Sequence, residues 1–294
     1  MDYPDWKLQD VITSHRDRLQ NFFFHKGGFT SQASAERFWH IVLAISENPT
    51  SAKQTIQELR EQYLTFPEAT TYGQRETTLT ADAAQSILDT LHGADSSDIR
   101  SPIGGRNPAN LIDIGCAEGQ KTSALAKAWG LPCQHAIGLD IIQAKSPPTN
   151  IKFETMLPDI LPKCILYSSQ DLAIVSMVFH HSKDPCKLLK GIHSALRLGG
   201  YLIIREHNAD ARMDMASFLN TVHIFYDAVF AGKPCMLNAQ NYKSLEEWQN
   251  TFQSQGFEYI KSEYMPFSTN PSAGVQANAN TGENFTFVLQ KNRP

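Results

Sequence analysis

Apolar and polar positions change rhythm along this 294-residue chain, and each rhythm predicts a different architecture. Over residues 6–24, 33–45, 51–64 and 80–91, apolar side chains return every third or fourth position, the period of helices that bury one face. Ser51 and Thr80 stand where N-caps belong. His25-Lys26-Gly27-Gly28 separates the first two helices, and Phe66-Pro67 ends the third. Residues 93–110 shift to Asp, Ser, Gly, Pro and Asn, the composition of a linker or long surface loop. Beyond it, short runs of mostly β-branched apolar residues predict strands at 111–114, 135–139, 150–154, 172–179 and 201–206. Helical stretches at 121–129 and 185–196 lie among them. Alternating strands and helices imply a parallel sheet covered on both faces. Near the end, 244–255 predicts a helix closed by Gly256, and 257–264 and 284–291 predict two strands. The Ser/Asn/Ala/Gly-rich stretch between those strands suits no helix, so the closing strands are expected to pair antiparallel. No internal repeat is present.

Composition narrows the class. A hydrophobic fraction of 41% and a charged fraction of 19% are those of an ordinary globular protein. The longest apolar runs fall far short of the roughly 18–20 residues a membrane helix needs. The first ten residues lack the basic start and apolar stretch of a secretory leader, so the expectation is a cytoplasmic, intracellular protein without membrane contact. Cys116, Cys133, Cys164, Cys186 and Cys235 are odd in number, dispersed and without a Cys-x-x-Cys pair, which argues for reduced thiols and against a zinc knuckle. A net charge of −4 and a pI near 6.2 exclude polyanion binding by the chain as a whole, though not by a local basic groove.

The candidate chemistry begins at Leu111-Ile112-Asp113-Ile114-Gly115, a strand ending in a glycine turn, with Gly119-Gln120-Lys121-Thr122 opening a helix. Such a turn needs small residues wherever backbone and ligand come close, and Gly115, Ala117 and Gly119 meet that need. Backbone amides at a helix start ordinarily suggest phosphate. A dinucleotide fingerprint, however, wants a further glycine where this chain has Gln120, and does not require Asp113. A second strand, Ile137-Gly138-Leu139-Asp140, ends in an acid able to accept hydrogen bonds from both hydroxyls of a ribose.

At this point Asp-x-Gly-x-small-x-Gly resembles motif I of the class I S-adenosylmethionine-dependent methyltransferases, with Asp140 at their ribose-binding position. Two further segments are similar to the type 11 members of that family. They are Asp171-Leu172-Ala173-Ile174-Val175-Ser176-Met177-Val178-Phe179-His180-His181 and Ala195-Leu196-Arg197-Leu198-Gly199-Gly200-Tyr201-Leu202-Ile203-Ile204. The resemblance implies a Rossmann-like, seven-stranded, mostly parallel sheet with an antiparallel last strand, occupying residues 93–294. Residues 1–92 would be a helical region that helps cover the cofactor and shape the acceptor pocket. It further implies S-adenosylmethionine, leaving as S-adenosylhomocysteine, held by Arg75, Asp113, Gly115, Cys116, Ala117, Glu118, Gly119, Asp140, Ile141, Met156 and Met177. Asp113 would order the cofactor's amino group, partly through water. Arg205-Glu206-His207-Asn208, then Phe218 to Tyr226, Tyr242 to Trp248 and Gly256-Phe257, resemble virus-encoded methyltransferases, which usually carry Asp where this chain has Asn208.

Ligands of open α/β sheets sit outside the carboxyl ends of the strands. His180, His181 and Glu206 occupy such ends and are the catalytic candidates. A neutral histidine can take the proton leaving a hydroxyl or amine. No metal is expected, because adjacent histidines on a strand diverge. Glu206 has a structural alternative, a bond to the N-terminal helices, and Arg205 should point to the opposite face. The Lys-Asp-Lys-Glu tetrad of RNA cap ribose methyltransferases is missing. Ser176 or Met177 and Arg205 stand at two of its positions, with only Glu283 fitting, and arginine cannot readily replace a proton-tuning lysine. The functional expectation is methyl transfer to RNA, perhaps the 5′ cap in mRNA capping, by a viral protein. A small-molecule methyltransferase, a catalytically silent cofactor-binding module and a nicotinamide enzyme are the alternatives.

Overall fold

The computed structural model describes residues 6–26, 29–48, 50–70, 84, 87–88, 107–209, 215–233, 241–265 and 284–292. Arg75, Thr80, Cys235, Glu283, the Gly27-Gly28 loop and most of the helix expected at 80–91 lie outside these residues. Three helices come first, α1 (Leu8–Lys26), α2 (Gln32–Glu47) and α3 (Ala52–Tyr63). Ser51 caps α3 with a reciprocal Gln54 bond, as the capping-box pattern requires. The alternating stretch follows as β1 (Leu111–Ile114), α4 (Gln120–Trp129), β2 (Ala136–Asp140), β3 (Lys152–Thr155), β4 (Gln170–Ser176), α5 (Pro185–Ala195) and β5 (Leu196–His207). Then come α6 (Met215–His223), which runs into a π-helical segment at Ile224–Ala231, α7 (Leu245–Ser254), β6 (Phe257–Met265) and β7 (Asn284–Lys291). Among the described residues no helix is long and apolar enough to cross a membrane.

The strands form one seven-stranded sheet in the order β3-β2-β1-β4-β5-β7-β6. β1 pairs in parallel with both β2 and β4, β4 pairs in parallel with β5, and β7 runs antiparallel to β5. Chain order therefore reverses on either side of β1, and such a switch point opens a crevice at the carboxyl ends of β1 and β4. All four residues of β1 are buried, as a central parallel strand demands. Ile112 and Ile114 face one layer with Val175, Ile204 and Trp248, while Leu111 joins Leu125, Ile174 and Ile203 on the other.

Contacts divide the chain into two compact units: residues 1–76, 208–242 and 265–283, and residues 77–207, 243–264 and 284–294. This differs from a break at 92/93 with all later residues in the sheet domain. The reason is apolar packing. Phe225 meets Phe23 with ring centroids 4.7 Å apart, and Phe230 meets Tyr63 at 4.8 Å, so the segment after β5 completes the helical unit's core. Ala84 and Ile87, in turn, pack with Leu111 and Leu125 in the sheet unit.

β4 is three residues shorter at its end than its apolar run suggests. Met177 adopts a left-handed φ of 61°, and Phe179–His181 forms one 3-10 turn. Neighbouring side chains no longer alternate there. The rings of His180 and His181 lie 4.1 Å apart instead of diverging as strand neighbours would.

Candidate active site at the carboxyl ends of the strands

The turn after β1 is built for close approach. Gly115 has φ 70°, and a Cβ there would lie 2.2 Å from Cγ2 of Val178. Gly119 has φ 82° at the start of α4, and a Cβ there would lie 2.7 Å from Ile151. Between them Ala117, at φ 52°, and Glu118 are exposed, whereas Cys116 is buried with its thiol pushed well up by burial beside Asp113 and Asp140. Cys116 therefore packs against Gly138 as a neutral side chain rather than acting as a nucleophile. Gly115→Ala is expected to cost about 2–4 kcal/mol, combining left-handed strain with overpacking against Val178. Chemical denaturation would check it, and pairing with Val178→Ala should recover the packing part alone.

Asp113 is fully buried. Its Oδ2 accepts from the Thr122 hydroxyl at 2.6 Å, and Oδ1 faces the Lys121 ammonium at 3.0 Å as a charge contact rather than an aligned hydrogen bond. This carboxylate fastens β1 to α4. Asp140, by contrast, is only half-buried. One of its oxygens accepts from Ala117 N at 2.8 Å and the other from Ile142 N at 3.0 Å, which leaves each with a lone pair for a further donor. Glu118 accepts from Lys145 N, closing the same rim. Ile141, Ile142 and Leu157 are 39%, 65% and 67% exposed beside the ends of β2 and β3, an apolar surface suited to the face of a planar base. Met156 is buried and donates its backbone N–H to Asp140 O. Met177 is half-buried and bonded to Arg205 O.

Glu206 and His180 are both wholly buried at the ends of β5 and β4. Glu206 Oε1 accepts from Val178 N and Phe179 N at 2.8 and 2.7 Å, and Oε2 lies 2.6 Å from His180 Nδ1. These partners all lie on the turn after β4 rather than on the N-terminal helices. In these positions Glu206 and His180 hold the turn after β4 and do not line its surface. His181 is half-buried and reaches the surface of the turn. Arg205 lies on the opposite face, lining a small cavity with Ser176, Ile203 and Thr286, as strand alternation expects.

Contact geometry alone would make His180 and Glu206 an ion pair, but burial pushes Glu206 up to about 7 and His180 well below its ordinary value. Both directions describe one proton shared by the pair. An unfolded chain, with Glu near 4.5 and His near 6.5, also carries one proton between those values. The pair should therefore leave stability level across that window. Glu206→Gln removes the acid while His180 stays neutral in the fold. The unfolded state then binds the extra proton below about pH 6.5, so stability present above that pH is lost as pH falls through it. The variant's slope should exceed the wild type's by about 1.4 kcal/mol per pH unit. Urea titrations at a series of pH values would measure it.

Of the expected site residues, Arg75 lies outside the described residues, and the others gather along the carboxyl ends of β1, β2, β3, β4 and β5. Sequence reasoning missed Val178, Lys121, Thr122 and Asp159, whose parts depend on contacts between separate elements.

Residues 92–262 match a family described as "Methyltransferase domain". A solved structure named as a sarcosine dimethylglycine methyltransferase, from Galdieria sulphuraria, aligns with a TM-score of 0.52 at 15% identity, covering 75% of this chain and 88% of that one. That likeness concerns the fold. Among curated proteins, a 187-residue stretch, 58% of this chain, is 24% identical to 4% of a polyketide synthase-nonribosomal peptide synthetase from Aspergillus clavatus. A 138-residue stretch, 45% of this chain, is 30% identical to 37% of an uncharacterized 37.1 kDa transposon protein from Streptomyces fradiae. The chain thus spans well under two thirds of either curated relative. Since the family match covers more than half of the chain, the protein belongs to the methyltransferase-domain family.

Proposed function

We propose that this chain methylates a hydroxyl or amine of a small-molecule acceptor, with His181 receiving the acceptor's proton. One observation carries the reading: Glu206 anchors the turn after β4 and holds His180 buried, whereas the next residue, His181, is half-buried just beyond the carboxyl end of β4. S-adenosylmethionine supplies an already activated methyl group on a sulfonium. The residues from Gly115 to Gly119 would hold its methionine end, Asp140 its ribose, and Ile141, Ile142 and Met156 its base. The chain's own task is then to hold the acceptor in line and take one proton. Orientation of this kind can supply up to roughly 7–11 kcal/mol, and a neutral imidazole suits the proton transfer.

A small-molecule acceptor is supported by the acidic net charge of −4 and by the names of two similar proteins, a sarcosine dimethylglycine methyltransferase and a polyketide synthase-nonribosomal peptide synthetase. The RNA acceptor expected from the virus-like segments is the competing arm of the test. Calorimetry with S-adenosylmethionine comes first, followed by transfer of labelled methyl to a panel of amines, alcohols and capped RNA. Labelling of RNA alone, with affinity falling steeply as salt rises, would overturn the small-molecule reading. Cofactor binding without transfer to any acceptor would favour a catalytically silent module.

A further inference from the structure

The segment that carries His181 is gripped by carboxylates at both ends. Glu206 takes the amides of Val178 and Phe179 on one side. On the other, one oxygen of Asp159 accepts from the Ser182 hydroxyl, and its second oxygen accepts from Lys183 N and Asp184 N, each at 3.1 Å. Asp159 is not on a neighbouring turn of the same loop. It comes from the connection after β3, more than twenty residues earlier in the chain.

That connection starts at the cofactor rim. Met156 N donates to Asp140 O at 2.8 Å, so the residue that ends β2 also anchors the base of the Asp159 turn. Leu157 and Ile160 then bridge each other, with Ile160 N bonded to Leu157 O at 3.1 Å, and Asp159 sits inside the tight turn at φ 59°. An aspartate in the left-handed region carries a strain cost of about 1–2 kcal/mol unless its side chain is satisfied. Here the satisfaction comes from Ser182, Lys183 and Asp184. Asp184 in turn caps α5 by accepting from Lys187 N at 2.9 Å, so the gripped segment is fixed to a helix.

We infer that Asp159 is a positioning residue that ties the cofactor rim at Asp140 and Met156 to the setting of His181. The inference rests on the reading above that Asp140 holds the cofactor and His181 faces the acceptor. A ligand that settles against Asp140, Ile142 and Leu157 displaces or stiffens the Asp159 turn, and the three bonds to residues 182–184 carry that change to His181. The acceptor side is then organised by cofactor occupancy before any acceptor arrives. A carboxylate that merely caps a turn would leave His181 indifferent to the cofactor.

The test needs no acceptor. The full chain is labelled with ¹³C-histidine, and the His181 ring signal is assigned by its loss in His181→Gln. It is then titrated with S-adenosylhomocysteine, with calorimetry run in parallel. Wild type is expected to bind and to show a His181 shift beyond the line width. Asp159→Ala is expected to bind S-adenosylhomocysteine within about threefold of wild type but to lose the His181 shift. Asp159→Asn, with one acceptor oxygen left, should keep part of it. Ser182→Ala, which removes one donor and no charge, should weaken it and carries the decision if Asp159→Ala does not fold. An undiminished shift in the folded variants, or no shift in a wild type that binds, overturns the inference. Failure of wild type to bind S-adenosylhomocysteine overturns the cofactor reading itself, a result the calorimetric arm separates from the other two.

Discussion

Asp113→Ala is expected to destabilise the sheet unit by about 3–5 kcal/mol, the cost of stranding one member of a buried ion pair. The Lys121 ammonium lies in an environment only 7% exposed, and its counter-charge at 3.0 Å would be gone, together with the acceptor for the Thr122 hydroxyl. The loss would be a large share of the roughly 5–15 kcal/mol that holds a typical domain. Removing both charges is a different experiment. Asp113→Ala with Lys121→Met leaves no uncompensated ion and should recover most of the stability. Urea midpoints for the single and double variants measure both. An Asp113→Ala protein as stable as wild type would show that the buried pair does not hold the turn. Cofactor affinity is better probed at Asp140, which is half-buried and lies at the rim.

His181→Ala should lower kcat by about 10²–10⁴, the usual contribution of a positioned proton acceptor, while cofactor affinity stays near wild type. The same change at His180 should behave otherwise. His180 is wholly buried against Glu206, so its truncation opens a cavity and removes one of the partners of a buried carboxyl; stability falls before any catalytic defect can be read. Kinetics with the acceptor identified by the labelling panel, together with thermal melts, separate the two. Equal loss of turnover in a fully folded His180→Ala protein and a normal rate in His181→Ala would reverse the assignment.

Much of this fold is legible in the chain. β1 and β7 have the bounds their apolar runs indicate, because both are flanked by residues that favour turns over strands: Asn110 and Gly115 around one, Asn292 after the other. The end of β4 was not legible. Its apolar run continues through Met177 and Val178 to Phe179, but a left-handed Met177 breaks the strand, next to Gly115 in the turn after β1 and Glu206 on β5. The turn after β1 announced itself through its glycines and Asp113. The use made of Asp113 did not, since an ion pair with Lys121 depends on how α4 lies across the sheet. Likewise nothing local marks Asp159 as a partner of Ser182. The helical unit's membership was hidden for a related reason: the burial of Phe218 and Phe225 depends on partners far away in the chain, such as His15 and Phe23.

The late arrival of that partner has a consequence during synthesis. Phe22, Phe23 and Phe38 emerge from the ribosome early, yet Phe225 and Phe230, which fill the space between them, follow nearly two hundred residues later. At ordinary translation rates the delay is on the order of ten seconds or more. Throughout it the nascent helices expose an unfilled aromatic cleft while the parallel strands are still being made. A protein wired this way should depend on holdase chaperones for soluble yield, and a fragment ending before α6 should aggregate even where its helices form.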